Sequence, residues 1–156
     1  MVNLKPIQIY TDGACRGNPG KGGWGCVIND NGVESEMRGY VPQTTNNRME
    51  LIAVIEVLKS ISQERELIIF TDSKYVMDGI TVWINNWKNN DWLTAGRKKV
   101  KNKDLWVELD QLISARMINW EWVKGHAGNA GNERADFLAN LAIDENSTSN
   151  KVSEKK

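Results

Sequence analysis

Apolar and polar residues alternate from Pro6 to Asp12, which predicts a half-buried strand ending at Asp12. A glycine-rich stretch, Gly13 to Gly23, reads as a turn. Trp24 to Ile28 and Val33 to Val41 read as two more strands joined by a hairpin turn at Asp30-Asn-Gly32, so the chain opens with an antiparallel meander. The period then changes. From Arg48 to Ile61 apolar residues cover most of a helix's girth, which predicts a largely buried helix. Glu66 to Thr71 contains Leu-Ile-Ile-Phe, the short apolar run of a central strand. Asp72 to Gly79 and Ile80 to Asn89 read as two short helices, Asn90 to Asn102 as irregular, and Lys103 to Ala115 as an amphipathic helix. Ile118 to Val123 alternates as a strand, Gly125 to Gly131 reads as a flexible loop, and Asn132 to Ile143 as a last helix. The order βββ-α-β-α-α-α-β-α packs naturally as a mixed five-stranded sheet with helices on its faces. Residues 1–143 are expected to form one domain. The polar composition from Asp144 onward predicts a disordered tail over 144–156.

The longest apolar run is Leu51 to Ile55, far short of a membrane span, and the N-terminus lacks a signal peptide's hydrophobic stretch. A cytoplasmic protein with no membrane partner is expected. Cys15 and Cys26 fit neither a disulfide framework nor a zinc ribbon, and Cys26 reads as a small buried hydrophobe. Twenty basic and twenty acidic residues cancel, so only their distribution is informative. Between Lys88 and Lys103 there are six basic residues and one acid, with Trp83, Trp87 and Trp92 in or beside the stretch. Trp83, Trp106, Trp120 and Trp122 are expected to pack in the core or against a face.

Asp12 and Asp72 sit in similar settings, Ile-Tyr-Thr-Asp-Gly and Ile-Phe-Thr-Asp-Ser, where an apolar strand gives out. Each acid has an ordinary structural explanation. Asp72 could cap its helix, Asn47 and Glu50 could form a capping box, and Asp136 could sit favourably in a first helical turn. Their arrangement says more. If the first and fourth strands are neighbours, Asp12 and Asp72 meet at one edge of the sheet, within reach of Glu50 and Asp136. Four clustered carboxylates repel one another unless cations neutralise them. With no sulfur ligand set and one histidine in the chain, these hard oxygens suit Mg²⁺ or Mn²⁺. An acidic site beside a basic, tryptophan-bearing segment points to metal-assisted attack on a polyanion.

Five blocks in order, Thr11-Asp-Gly13, Thr44-Thr-Asn-Asn-Arg-Met-Glu50, Thr71-Asp-Ser73, Trp122-Val-Lys-Gly-His-Ala-Gly128 and Asn132-Glu-Arg-Ala-Asp136, resemble type 1 ribonuclease H. The likeness covers about residues 7 to 143. It is to the bacterial enzymes, because Trp83 to Asn102 resembles their basic handle loop.

The resemblance implies a ribonuclease H-like fold and a monomeric endonuclease that cuts the RNA strand of RNA–DNA hybrids, leaving 5′-phosphate and 3′-hydroxyl ends. It implies that Asp12, Glu50, Asp72 and Asp136 hold two divalent ions, Mg²⁺ with Mn²⁺ as a substitute, roughly 3.5–4 Å apart. His126 matches the family's mobile histidine, which assists proton transfer or product release. Asn18, Asn46, Asn47 and Ser73, with backbone amides around Gly13 to Cys15, match contacts to the RNA strand, which is told from DNA by its 2′-hydroxyls. Gln43, Thr45 and Asn102 match a pocket for a DNA phosphate. Lys88, Lys98, Lys99 and Lys101 add sequence-independent attraction, and Trp87 packs on a deoxyribose.

Three positions depart from the family's pattern. Gln43 stands where many relatives have arginine, Lys74 where glutamine is frequent, and the loop Asn129-Ala-Gly131 contains no proline. Two other readings remain: a module that binds hybrids or duplex RNA without catalysis, and another nuclease of the same fold. The four acids with His126 argue against the first, and the Thr44–Glu50 block with the basic segment against the second.

Overall fold

The computed structural model describes residues 5–125 and 127–154, with side chains through Asn146. Strands β1 (Ile7–Arg16), β2 (Gly20–Asp30) and β3 (Val33–Thr44) form the expected antiparallel meander. The β2–β3 turn places Asn31 and Gly32 at φ 55° and 93°, and Asn29 Oδ1 accepts from the Gly32 amide at 2.8 Å. Positive φ at both central residues is what a tight hairpin turn requires. Strand β4 (Leu67–Thr71) runs parallel to β1, and β5 (Ile118–Trp122) parallel to β4. The resulting five-stranded sheet has the order β3-β2-β1-β4-β5.

Parallel neighbours need a crossover, and helices supply each one. Helix α1 (Asn46–Ser60) joins β3 to β4. Helices α2 (Lys74–Asp78), α3 (Ile84–Lys88) and α4 (Lys103–Ile113) join β4 to β5, and a π-helical turn at Gly79–Trp83 links α2 to α3. Helix α5 (Ala130–Glu154) packs on β1, β2 and β3, while α1 packs on β1, β2 and α4. The main core forms around α1, where Met49, Leu51, Val54, Ile55 and Leu58 meet Ile9, Cys26, Leu67 and Ile69 of the sheet. Cys26 is buried there, as expected, and burial pushes its thiol pKa upward. Arg116 closes the far end of α1. Its Nη2 donates to the Leu58 carbonyl at 2.7 Å and to that of Ile61, and its Nη1 donates to Ser62, satisfying carbonyls that the helix end leaves unpaired.

Three expectations change. The glycine-rich stretch is mostly strand rather than turn: the β1–β2 ladder continues to the pair Arg16 and Lys21, so Asp12 lies inside β1. The glycines serve close packing instead. A Cβ on Gly23 would sit 2.0 Å from the Ala139 carbonyl oxygen of α5. The predicted tail begins as helix. No glycine or proline follows Gly131, and α5 crosses the expected boundary at Ile143 and runs to Glu154. Asp144 and Glu145 pair with Arg16 and Arg38 at 2.6 and 2.7 Å, which fastens that turn to the sheet. Finally, Trp106 is buried and Trp83 and Trp120 pack against the core, but Trp122 is 45% exposed at the end of β5.

Candidate active site

Because β1 and β4 are parallel neighbours with Thr11 opposite Thr71, the next residues, Asp12 and Asp72, stand side by side. Glu50 arrives from the second turn of α1. Gly13 makes that approach possible: a Cβ there would lie 2.5 Å from the Glu50 amide nitrogen and 2.6 Å from the Met49 carbonyl carbon. With no side chain at residue 13, the helix settles against the strand. One ligand oxygen from each of Asp12, Glu50 and Asp72 then falls within 4.8 Å of the others. Asp136 lines the same open cleft of about 550 Å³.

The structural explanations for these acids do not hold. Helix α1 is capped by Thr45, whose Oγ1 accepts from the Arg48 amide at 3.3 Å, so Glu50 belongs to no capping box. Helix α2 is capped by Ser73, whose Oγ accepts from the Val76 amide at 3.1 Å, and not by Asp72. Asp136 lies beyond the first turn of α5, where the acid is Glu133.

Burial raises the pKa of Asp12, and the charges of Glu50 and Asp72 raise it further. Burial also raises that of Glu50, with Asp72 adding to the shift. Glu50 Oε1 is buried and meets no hydrogen-bond partner among the described residues. An unpartnered buried carboxylate oxygen is costly unless a proton or a cation meets it. The donor set is all hard oxygen, and the fit is therefore to a divalent ion such as Mg²⁺ or Mn²⁺.

These shifts have a measurable consequence. An acid whose pKa is higher in the folded state adds stability below its ordinary value and loses it as pH rises through the raised one. Asp30, Glu36, Asp104 and Glu145 are held low by hydrogen bonds to arginines. Their opposite effect is complete by about pH 5. Above about pH 5, metal-free protein is therefore expected to melt progressively lower as pH climbs, and the rise in Tm on adding Mg²⁺ to grow. Thermal melts in EDTA and in Mg²⁺ across that range check this; a Mg²⁺ effect that shrinks with pH contradicts it.

The remaining sequence-predicted residues fall into groups. Asn46, Asn47 and Ser73 line the cleft with Ala14 and Cys15. Asn18 is exposed beside them, its Oδ1 accepting from the Asn46 amide at 3.0 Å. Thr45 and Asn102 are brought together through Arg48, whose Nη1 donates to Asn102 Oδ1 at 3.3 Å, while Gln43 is exposed near the end of β3. Arg48 and Tyr75 were not singled out from sequence. Tyr75 Oη accepts from Asn102 Nδ2 at 3.1 Å, and Arg48 is also paired with Asp104 at 2.8 Å. Trp87 is half-buried, with Trp83, Trp92 and Trp106 around it. Lys98, Lys99 and Lys101 are exposed on the irregular segment, and Lys88 pairs with Asp110 at 3.3 Å. His126 lies outside the described residues.

A mixed sheet in this order, with carboxylates converging where its parallel half begins, defines a nuclease of the ribonuclease H fold. The chain belongs to the RNase H family, whose model matches residues 5–144. It is 57% identical over 139 residues to the ribonuclease H of Francisella tularensis subsp. novicida, covering 89% of this chain and 91% of that protein. Among solved structures it resembles LC9-RNase H1, described as a type 1 RNase H with the type 2 active-site motif, at a TM-score of 0.82 and 32% identity. That match covers 93% of this chain and 75% of the other. LC11-RNase H1, solved in complex with an RNA/DNA hybrid, matches at a TM-score of 0.67 and 29% identity over 89% of this chain and 97% of that one.

Proposed function

We propose that this enzyme hydrolyses the RNA strand of RNA–DNA hybrids, using two divalent ions held by Asp12, Glu50, Asp72 and Asp136, and leaves 5′-phosphate and 3′-hydroxyl ends. The observation that carries this reading is the meeting of Asp12, Glu50 and Asp72 around an unpartnered Glu50 oxygen in a chain of this family. Divalent ions in such a site lower the pKa of water and offset charge on phosphoryl oxygens. Mg²⁺ is the expected ion, with Mn²⁺ able to replace it.

The chain's own residues bind and orient the nucleic acid. Asn46, Asn47 and Ser73 lie in the cleft where short polar groups reach 2′-hydroxyls in a shallow minor groove, and Asn18 stands at its edge. Thr45 and Asn102, joined by Arg48, provide a hydrogen-bonding cradle for a phosphate of the DNA strand, with Gln43 nearby. Lys88, Lys98, Lys99 and Lys101 contribute attraction to the backbone, and Trp87 an aromatic surface for a sugar. The LC11 relative's bound hybrid supports the substrate assignment. His126 assists proton transfer or product release. His126→Ala is then expected to slow turnover by roughly 10²-fold under saturating substrate; an unchanged rate removes its role.

The deciding experiment offers the enzyme a labelled RNA–DNA hybrid, the matching DNA duplex and the matching RNA duplex, each with Mg²⁺ and with EDTA. Cleavage of the hybrid's RNA strand in Mg²⁺ alone is expected. Equal cutting of all three, or cutting in EDTA, overturns the proposal.

A further inference from the structure

Lys74 is the one cationic side chain among the described residues lining the carboxylate cleft. Ion pairs between lysines and carboxylates are common at protein surfaces. This one forms none among the described residues. Its Nζ lies instead 5.2 Å from the centroid of the Trp122 ring. The indole is itself anchored, because Trp122 Nε1 donates to the Asp72 carbonyl oxygen at 3.2 Å. Trp122 therefore links the end of β5 to the turn that carries both Asp72 and Lys74, and an aromatic face attracts an ammonium without neutralising its charge. A tryptophan left 45% exposed at the end of a strand acquires a purpose in this arrangement: it holds a cation at the rim of an acidic pocket.

Such a pocket repels the polyanion it is meant to receive. The basic residues of the 89–102 segment lie outside the cleft lining, which leaves Lys74 as the cation at the point of entry among the described residues. We propose that Lys74 binds a backbone phosphate of the nucleic acid at the mouth of the cleft, and that Trp122 is the residue that positions it. This rests on the nuclease reading above for the identity of the ligand. The ammonium, kept from the carboxylates by the indole, stays available to phosphate.

The test measures affinity for a short RNA–DNA hybrid by fluorescence anisotropy in EDTA over a range of salt, and KM and kcat in Mg²⁺, for Lys74→Gln, Lys74→Arg, Trp122→Leu and the double variant Lys74→Gln/Trp122→Leu. Lys74→Gln is expected to weaken binding about fivefold and to reduce the slope of log affinity against log salt by about 1. The loss should appear in KM rather than kcat. Lys74→Arg should restore the slope. Trp122→Leu should lose affinity in the same direction, and the double variant should be no worse than Lys74→Gln. An unchanged slope in Lys74→Gln overturns the role of Lys74, and additive losses overturn the role of Trp122. Should Trp122→Leu fail to fold, the two Lys74 variants still decide whether the ammonium meets phosphate. Wild-type protein that binds the hybrid with this salt dependence yet cleaves nothing refutes the nuclease reading alone; wild-type protein with no affinity for the hybrid refutes both.

Discussion

Asp72→Asn is expected to yield a folded protein that still binds hybrid but cuts it at least about 10³-fold more slowly. Asn keeps the shape of Asp and loses the charge. No structural duty falls on the carboxylate, because Ser73 caps α2 and the Trp122 indole contacts the residue 72 backbone rather than its side chain. What disappears is one of three oxygens meeting at the proposed cation site. Binding should change little, since the contacts proposed for the hybrid lie on other residues. The same exchange removes a charge that raises the pKa values of both Asp12 and Glu50, so the metal-free variant should be more stable than wild type by about 1 kcal/mol near neutral pH. Single-turnover cleavage, hybrid binding in EDTA and thermal melting in EDTA report these effects separately. Wild-type cleavage rates in Mg²⁺ contradict the assignment of Asp72. A variant less stable than wild type in EDTA contradicts the repulsion that the site's pKa shifts express.

Much of this was legible from the chain because the signals were local or repeated. The period-two runs and the buried girth of α1 fixed the type of each main element, and the paired Thr-Asp settings of residues 11–12 and 71–72 marked the two acids, which meet because β1 and β4 are neighbours, a condition the local pattern left open. Boundaries were less legible where tertiary contacts override local chemistry. Gly13 to Gly23 has turn composition, yet its residues continue the ladder because helices press close on both faces of the sheet and leave no room for side chains. Asp144 and Glu145 look like the start of a polar tail, and only arginines more than a hundred residues earlier, Arg16 and Arg38, show why the helix continues. In the site, Glu50 and Asp72 each had a plausible capping role until Thr45 and Ser73 were seen to fill those positions. Arg48 was present in a recognised block, but its link to Asn102 spans 54 positions and left no mark in local pattern.

Trp106→Ala is expected to cost about 3–5 kcal/mol of stability. For a chain of this length that lowers Tm by roughly 6–20 °C. Trp106 is fully buried on α4, with its ring against the bare Gly79, tilted against Tyr75 and edge-on to Trp87 at centroid distances of 5.4 and 5.5 Å. Truncation leaves a void between α4 and the α2–α3 segment that neighbouring backbone cannot close without shifting. It also removes a polar contact, because Trp106 Nε1 donates to Tyr75 Oη at 2.9 Å, and the same oxygen accepts from Asn102 Nδ2. The damage should therefore pass into the proposed phosphate cradle through Tyr75 and Asn102, and into Trp87, the proposed sugar contact, through the lost ring contact. Two variants separate volume from polarity. Trp106→Phe keeps most of the packing and loses the N–H, so it should cost less stability than Trp106→Ala. Below its melting point it should raise KM for hybrid more than it lowers kcat, because the carboxylates are held by β1, α1, the turn after β4 and α5, and not by α4. Denaturant melts and steady-state kinetics on both variants check the argument. Equal stability losses for Phe and Ala, or a loss confined to kcat, show that the ring's volume and its link to Asn102 do not act as described.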